Sequence, residues 1–247
     1  SYCIYANIYD PKKGWTGAVR VDQGSPDNAM FPAHAFDRLG NLHIAYYRVH
    51  ENGLDLYTAR RDVTDGTWRG PERISSGNDP LAWKAKRSMA RHGRADAPFL
   101  SDELKKYSYS GAYGYGEWAP STADARLRDA LTPSMVATTS HGVALFFAQF
   151  MGGNLRGFAA YHNHDKGWTL PAPVDGAEGD VEHIRATVSR YGEIALVFAQ
   201  RSGGRMRVYA RAYSPFRGWD NPVTIDEGDK DGYGPSIAFT DNNGMAA

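Results

Sequence analysis

The chain has one cysteine, Cys3, in 247 residues. That excludes an internal disulfide and any thiolate metal cluster, so stability rests on packing. Net charge is missing too. Twenty-eight Lys and Arg balance 28 Asp and Glu, and no global field draws the protein to nucleic acid or to an anionic membrane. Long apolar runs are absent: the longest, 143–151, contains Gln149 and is too short to span a bilayer. No Gly-rich phosphate loop, His/Cys zinc cluster or nucleophile elbow occurs. The chain begins at Ser1 without an initiator methionine or a signal-like apolar stretch. It reads as a processed or excised form, with an extracellular or periplasmic setting expected.

What is abundant is aromatic residues (13%), glycine (27) and proline (13), a composition suited to short strands joined by tight turns. The strands repeat. Segments 9–22, 63–75, 164–175 and 214–226 overlay around a Trp-containing turn, and 115–124 is a degraded fifth copy. Trp15, Trp68, Trp118, Trp168 and Trp219 are spaced by 53, 50, 50 and 51 residues. Each tryptophan is expected to pack between neighbouring sheets.

Within each unit the period is that of strands. A short segment such as 133–139 or 235–241 leads through a turn into an apolar strand, as in 42–48, 143–149 and 194–200. A third, Tyr-containing strand follows, and the Trp turn leads to a fourth. Such a sheet has bare faces and open edges and needs neighbours. The expected fold is therefore all-β: a β-propeller of about five four-stranded blades at 31–75, 83–124, 132–175, 183–226, and 234–247 completed by 1–22. The chain starts in a third strand and stops in a second, so N- and C-terminal strands are expected to pair and close the ring.

The repeat, with its Gly-Trp turn after a Tyr-containing strand, resembles the propeller repeats of bacterial sialidase-like proteins. The run Gly14-Trp15-Thr16-Gly17-Ala18 resembles fucose-binding propeller lectins, and Asp65, Gly66, Thr67 and Trp68 resemble a degenerate sialidase Asp-box. The resemblance covers nearly the whole chain and implies a carbohydrate-recognising propeller. The functional expectation is a non-catalytic, lectin-like protein, with acidic carbohydrate or another anionic small ligand as partner. Two alternatives stand beside it: a sialidase-like glycoside hydrolase or polysaccharide lyase with one site at the channel mouth, and a protein-interaction scaffold.

Function is expected in the varied loops that lead into first strands. Between 84 and 94 six cationic or titratable side chains occur with no acid, directly after Trp83. Arg87, Arg91 and His92 form a candidate cradle for carboxylate or sulfate, since arginine offers a bidentate fork. Tyr113 and Tyr115 are candidate stacking surfaces for sugar faces. His183, after Glu182 and before Arg185 at the start of a first strand, is a candidate ligand contact and proton-transfer group. Asp27, Asp79, Asp129 and Asp180 recur in equivalent loops, which suits turn capping better than a hydrolytic carboxylate pair. Glu227, Asp229, Asp231 and Gly232 resemble the start of a calcium loop, but Ala238 stands where a bidentate acid is needed. No cofactor is expected.

Overall fold

The computed structural model describes residues 2–50, 53–75, 132–139, 142–151, 154–176, 179–240 and 244–247. Regular structure among them is all strand. No helix among the described residues is long and apolar enough to cross a membrane. The segment expected as a blade at 83–124 lies outside the described residues.

Three antiparallel meanders dominate. The first joins β5 (Asn28–Phe36), β6 (Leu42–His50), β7 (Gly53–Arg61) and β8 (Trp68–Arg73). The second joins β9 (Ser134–Ala137), β10 (Val143–Met151) and β11 (Asn154–Asn163), with β12 (Gly167–Trp168) and β13 (Ala172–Pro173) both paired to β11. The third repeats that plan in β14 (Val181–Val188), β15 (Ile194–Ser202), β16 (Arg205–Ser214), β17 (Gly218–Trp219) and β18 (Val223–Thr224). The turn into β12 and β17 places Gly167 and Gly218 at φ 73° and 77°, a left-handed conformation that glycine adopts without a Cβ clash.

Register carries the repeat into the core. Tyr46 faces Tyr57, Phe147 faces Phe158 and Phe198 faces Tyr209 across the second and third strands. Their rings stack at 6.3, 5.9 and 5.8 Å. Fully burying one such side chain contributes about 1.5–3 kcal/mol, so three copies of one cross-strand pair anchor three sheets.

Two half-units flank the meanders. The N-terminal ribbon comprises β1 (Tyr5–Ala6), β2 (Tyr9–Asp10), β3 (Gly14–Trp15) and β4 (Val19–Arg20), with β1 paired to β4 and β2 to β3. Val21 N donates to Ile4 O at 2.8 Å, as Ile74, Val174 and Ile225 do to Leu56, Gly157 and Val208. The ribbon is therefore a third and fourth strand. At the other end β19 (Ala238–Phe239) and β20 (Met245–Ala246) pair. Their Thr240 N to Gly244 O bond repeats the turns at Asp37–Asn41, Thr138–Gly142 and Ser189–Glu193, which makes this hairpin a first and second strand. Among the described residues neither half-unit pairs with the other.

Consecutive units share one link. Tyr2 N donates to Asn28 Oδ1, Leu155 N to Asp180 Oδ1 and Met206 N to Asp231 Oδ1, at 2.8, 2.6 and 2.9 Å. Each bond ties a third strand to the entry of the next first strand. Asp180 thus caps buried backbone.

Among the described residues the three meanders pack on one another through two joints. The β5–β8 sheet lies directly on the β9–β13 sheet, although residues 76–131 separate them in sequence: Tyr47 Oη donates to Ala148 O at 2.5 Å, and the His43 and His162 rings meet at 4.8 Å. Between the second and third meanders, Trp219 Nε1 donates to Tyr161 Oη at 2.9 Å and its ring meets Phe146 at 5.9 Å. Trp219 is thus the inter-sheet wedge expected from the sequence. Trp15 departs from that expectation: it is 67% exposed and meets Tyr9 edge-on, and among the described residues its ribbon packs on the first meander through Ile4, Ala6 and Ile8. Trp118 lies outside the described residues.

Candidate functional site

Strand β14 enters its sheet irregularly. Its pairing with β15 jumps between Glu182 and Arg185, and His183 sits in this bulge at φ 55°. The left-handed region is costly for a residue with a Cβ, and bulges re-aim side chains. The first meander makes the same bulge between Met30 and Ala33, with Phe31 at φ 57°. Phe31 turns into the core. His183 stays half-buried among polar groups.

Those groups come from three segments. The Glu182 Oε2 atom lies 3.7 Å from His183 Nε2. The Tyr233 ring approaches the imidazole at 6.4 Å and 80°, and its hydroxyl donates to Asp231 Oδ2 at 3.3 Å. Arg201, on β15, is close enough for its charge to act on Tyr233. Its Nη1 donates to Gly204 O at 3.2 Å, while its Nε is buried without a hydrogen-bond partner among the described residues. Burial, then the negative charges of Asp231 and Glu182, raise the Tyr233 hydroxyl above its usual range, with Arg201 offsetting part of the shift. Tyr233 is therefore a neutral donor at physiological pH, and the residue remains 51% exposed. The cluster offers carboxylate acceptors, imidazole and guanidinium donors, and an open aromatic face.

Of the residues singled out in the sequence, His183 belongs to this cluster. Arg185 lies on the same strand, half-buried, with Nη1 donating to Ile184 O at 2.8 Å. Trp83, Arg87, Arg91, His92, Tyr113 and Tyr115 lie outside the described residues. Asp231, read as part of a calcium-like run, is engaged by Met206 N and Tyr233 Oη. No group of three or more His, Cys, Asp or Glu side chains is arranged to hold a metal ion among the described residues. Sequence reasoning missed Tyr233 and Arg201. A signal was present for the first: Asp231 follows Asp180 by 51 residues, which puts Tyr233 at the repeat position of Glu182.

No family model matches the chain, and no curated protein matches it. Among solved structures, an ulvan lyase of polysaccharide lyase family PL25 is 14% identical over 88% of this chain and 41% of its own, with a TM-score of 0.45. A protein of unknown function from Dyadobacter fermentans is 14% identical over 88% of this chain and 60% of its own, with a TM-score of 0.47. The GH93 α-L-arabinofuranosidase of Fusarium graminearum, in complex with arabinobiose, is 10% identical over 98% of this chain and 59% of its own, with a TM-score of 0.49. The chain thus spans about two-fifths to three-fifths of the length of these structures. Likenesses of this strength assign it to no family.

Proposed function

We propose that the protein is a non-catalytic glycan-binding propeller whose meanders are blades, about five in number, closed by pairing of the terminal half-units. The observation that carries the binding reading is His183, held in a left-handed bulge between the Glu182 carboxylate and the exposed face of Tyr233. A sugar ring presents apolar C–H faces and pairs of hydroxyls. An aromatic face suits the former, and carboxylate, imidazole and guanidinium suit the latter. Non-glycine strain of this kind persists where the surroundings over-determine it, as at ligand sites.

Glu182 and Asp231 stand beside Arg201 and His183, a mixed set of acceptors and donors that suits the hydroxyl pairs of a neutral sugar. The acidic-glycan expectation rests on 84–94, outside the described residues. An extracellular or periplasmic setting remains part of the proposal. A glycan array followed by calorimetry on His183→Ala and Tyr233→Ala tests the reading. At least about a tenfold loss of affinity is expected, corresponding to roughly 1.4 kcal/mol, at unchanged melting temperature; unchanged affinity in both variants would refute it. Release of reducing ends or unsaturated sugar from the bound glycan would replace it with the hydrolase or lyase reading.

A further inference from the structure

Glu182 and His183 stand side by side where β14 enters its sheet, and both side chains are largely withdrawn from water, at 11% and 15% exposure. Their nearest atoms, Oε2 and Nε2, are 3.7 Å apart. That is longer than a hydrogen bond and within the reach of an ion pair. The contact therefore changes character with one proton. Beside a neutral imidazole the two groups present separate donor and acceptor sites, the arrangement that suits a pair of sugar hydroxyls. Beside an imidazolium the carboxylate meets an opposite charge at close quarters, little screened by solvent, and that attraction competes with any hydroxyl for the same lone pairs.

The surrounding groups leave the imidazole as the one that responds near neutrality. Tyr233, from the segment before β19, meets the ring at 6.4 Å, and its hydroxyl is held above the usual phenol range. Asp231, bonded to that hydroxyl, adds a negative charge, and Arg201 on β15 adds a positive one. Arg185 on β14 adds another, with Nη1 turned to Ile184 O. Carboxylates ordinarily titrate near about 4, phenols near about 10 and guanidinium above about 12. Among these groups only an imidazole, near about 6.5, changes charge between roughly pH 5 and 8.

We propose that the proton on His183 switches glycan binding: the neutral imidazole leaves the Glu182 carboxylate to a sugar hydroxyl, the imidazolium claims it, and acid releases the glycan. The switch rests on the binding reading of the same site and adds its regulation. A hydroxyl inserted between the two groups separates the charges of the acid form, so the bound protein holds the proton less firmly than the unbound one. Linkage sets the sign: affinity is full above the imidazole's range and falls as pH drops through it. One proton with an ordinary pKa permits at most about a tenfold change between pH 7.5 and 5.5.

The test probes the neutral oligosaccharides of a glycan array with the full chain at those two pH values, with circular dichroism recorded at each. Binding about threefold to tenfold weaker at pH 5.5, with the spectrum unchanged, is expected. His183→Gln keeps a donor and does not titrate, so whatever affinity it retains should be the same at both pH values. His162→Phe should keep the full dependence, which separates this switch from the histidine joint between meanders. Equal binding of the unaltered protein at both pH values, with His183→Ala still weakening it, overturns the switch and leaves the binding reading standing. A dependence that survives His183→Gln, or disappears with His162→Phe, overturns the switch as well, as does binding lost together with the native spectrum. No glycan bound at either pH overturns both.

Discussion

The two joints between meanders are built at the same repeat positions from different chemistry. Register equates His43 with Ala144, Arg60 with Tyr161, His162 with Tyr213 and Trp168 with Trp219. The second joint is closed by aromatic packing and a phenol: Trp219 meets Tyr161, Phe146 and Tyr213. The first is titratable. His43 Nε2 donates to Asp37 Oδ2 at 3.1 Å, and the His162 ring lies between His43 and Trp168. One backbone plan thus tolerates either a neutral wedge or a pair of histidines, and the difference determines how each joint responds to truncation and to acid.

The largest expected effect falls on the aromatic joint. Trp219→Ala removes a wedge that fills the space between two sheets and leaves Tyr161 Oη without its donor. Truncating a well-packed tryptophan costs roughly 3–5 kcal/mol, and because Trp219 is half-buried a loss of about 3 kcal/mol is expected in urea denaturation. Trp15→Ala, at the same repeat position on the N-terminal ribbon, should cost under about 1 kcal/mol. Equal losses would erase the distinction drawn between the half-buried and the exposed tryptophan.

Acid should act on the first joint. Burial, followed by the charges of His43 and Arg60, depresses the His162 pKa from 6.5 to about 4, and His162 Nδ1 is buried without a partner among the described residues. Burial lowers His43 as well, against the pull of Asp37. Asp37 is held below its usual range: burial works to raise it, and hydrogen bonds from Asn41 and His43 outweigh that. His164 adds a further cationic influence on both rings. A histidine whose folded pKa lies below its unfolded value binds protons preferentially when unfolded. Its contribution is complete above pH 6.5 and is lost as pH falls toward 4. The urea midpoint should therefore drop across that interval, and His162→Phe should flatten the drop. An equally steep decline in the variant would place the acid sensitivity elsewhere, with Asp37 the next group to replace.

How far the sequence reaches follows from which features are local. Strand alternation in 42–48, 143–149 and 194–200, and the Gly-Trp turn, are written in contiguous residues, and the meanders with their Gly167 and Gly218 turns follow from them. The meeting of His43 with His162 is a contact between residues 119 apart, and no spacing rule foretells it. The left-handed conformations of Phe31 and His183 were equally hidden, since non-glycine residues carry no local mark of positive φ. His183 was legible as a polar residue at a strand entry. Tyr233 was marked only by its repeat position, 51 residues after Glu182, and its role beside His183 depends on where the loop after β18 returns.

The smallest expected effect compares the two bulges. Phe31 and His183 share a φ of 57° and 55°, yet one buries its ring in the core and the other presents it to polar neighbours. Glycine adopts this conformation without strain, while it adds freedom to the unfolded chain worth roughly 0.5–1 kcal/mol. Relief of strain in a sparsely populated region is of the order of 1–3 kcal/mol. For His183→Gly the relief equals or exceeds this cost and the loss of the half-buried imidazole takes back part of the gain, so stability should fall by no more than about 1 kcal/mol. Phe31→Gly gains the same relief and loses a buried ring, whose truncation alone costs roughly 3–5 kcal/mol, so it should destabilise clearly. Glycan affinity should separate the pair in the opposite sense: His183→Gly keeps the bulge and removes the contact, and it should lose as much binding as His183→Ala. A His183→Gly variant destabilised as strongly as Phe31→Gly would mean that the imidazole is held for the fold, and the contrast between a structural and a ligand-facing bulge would fail.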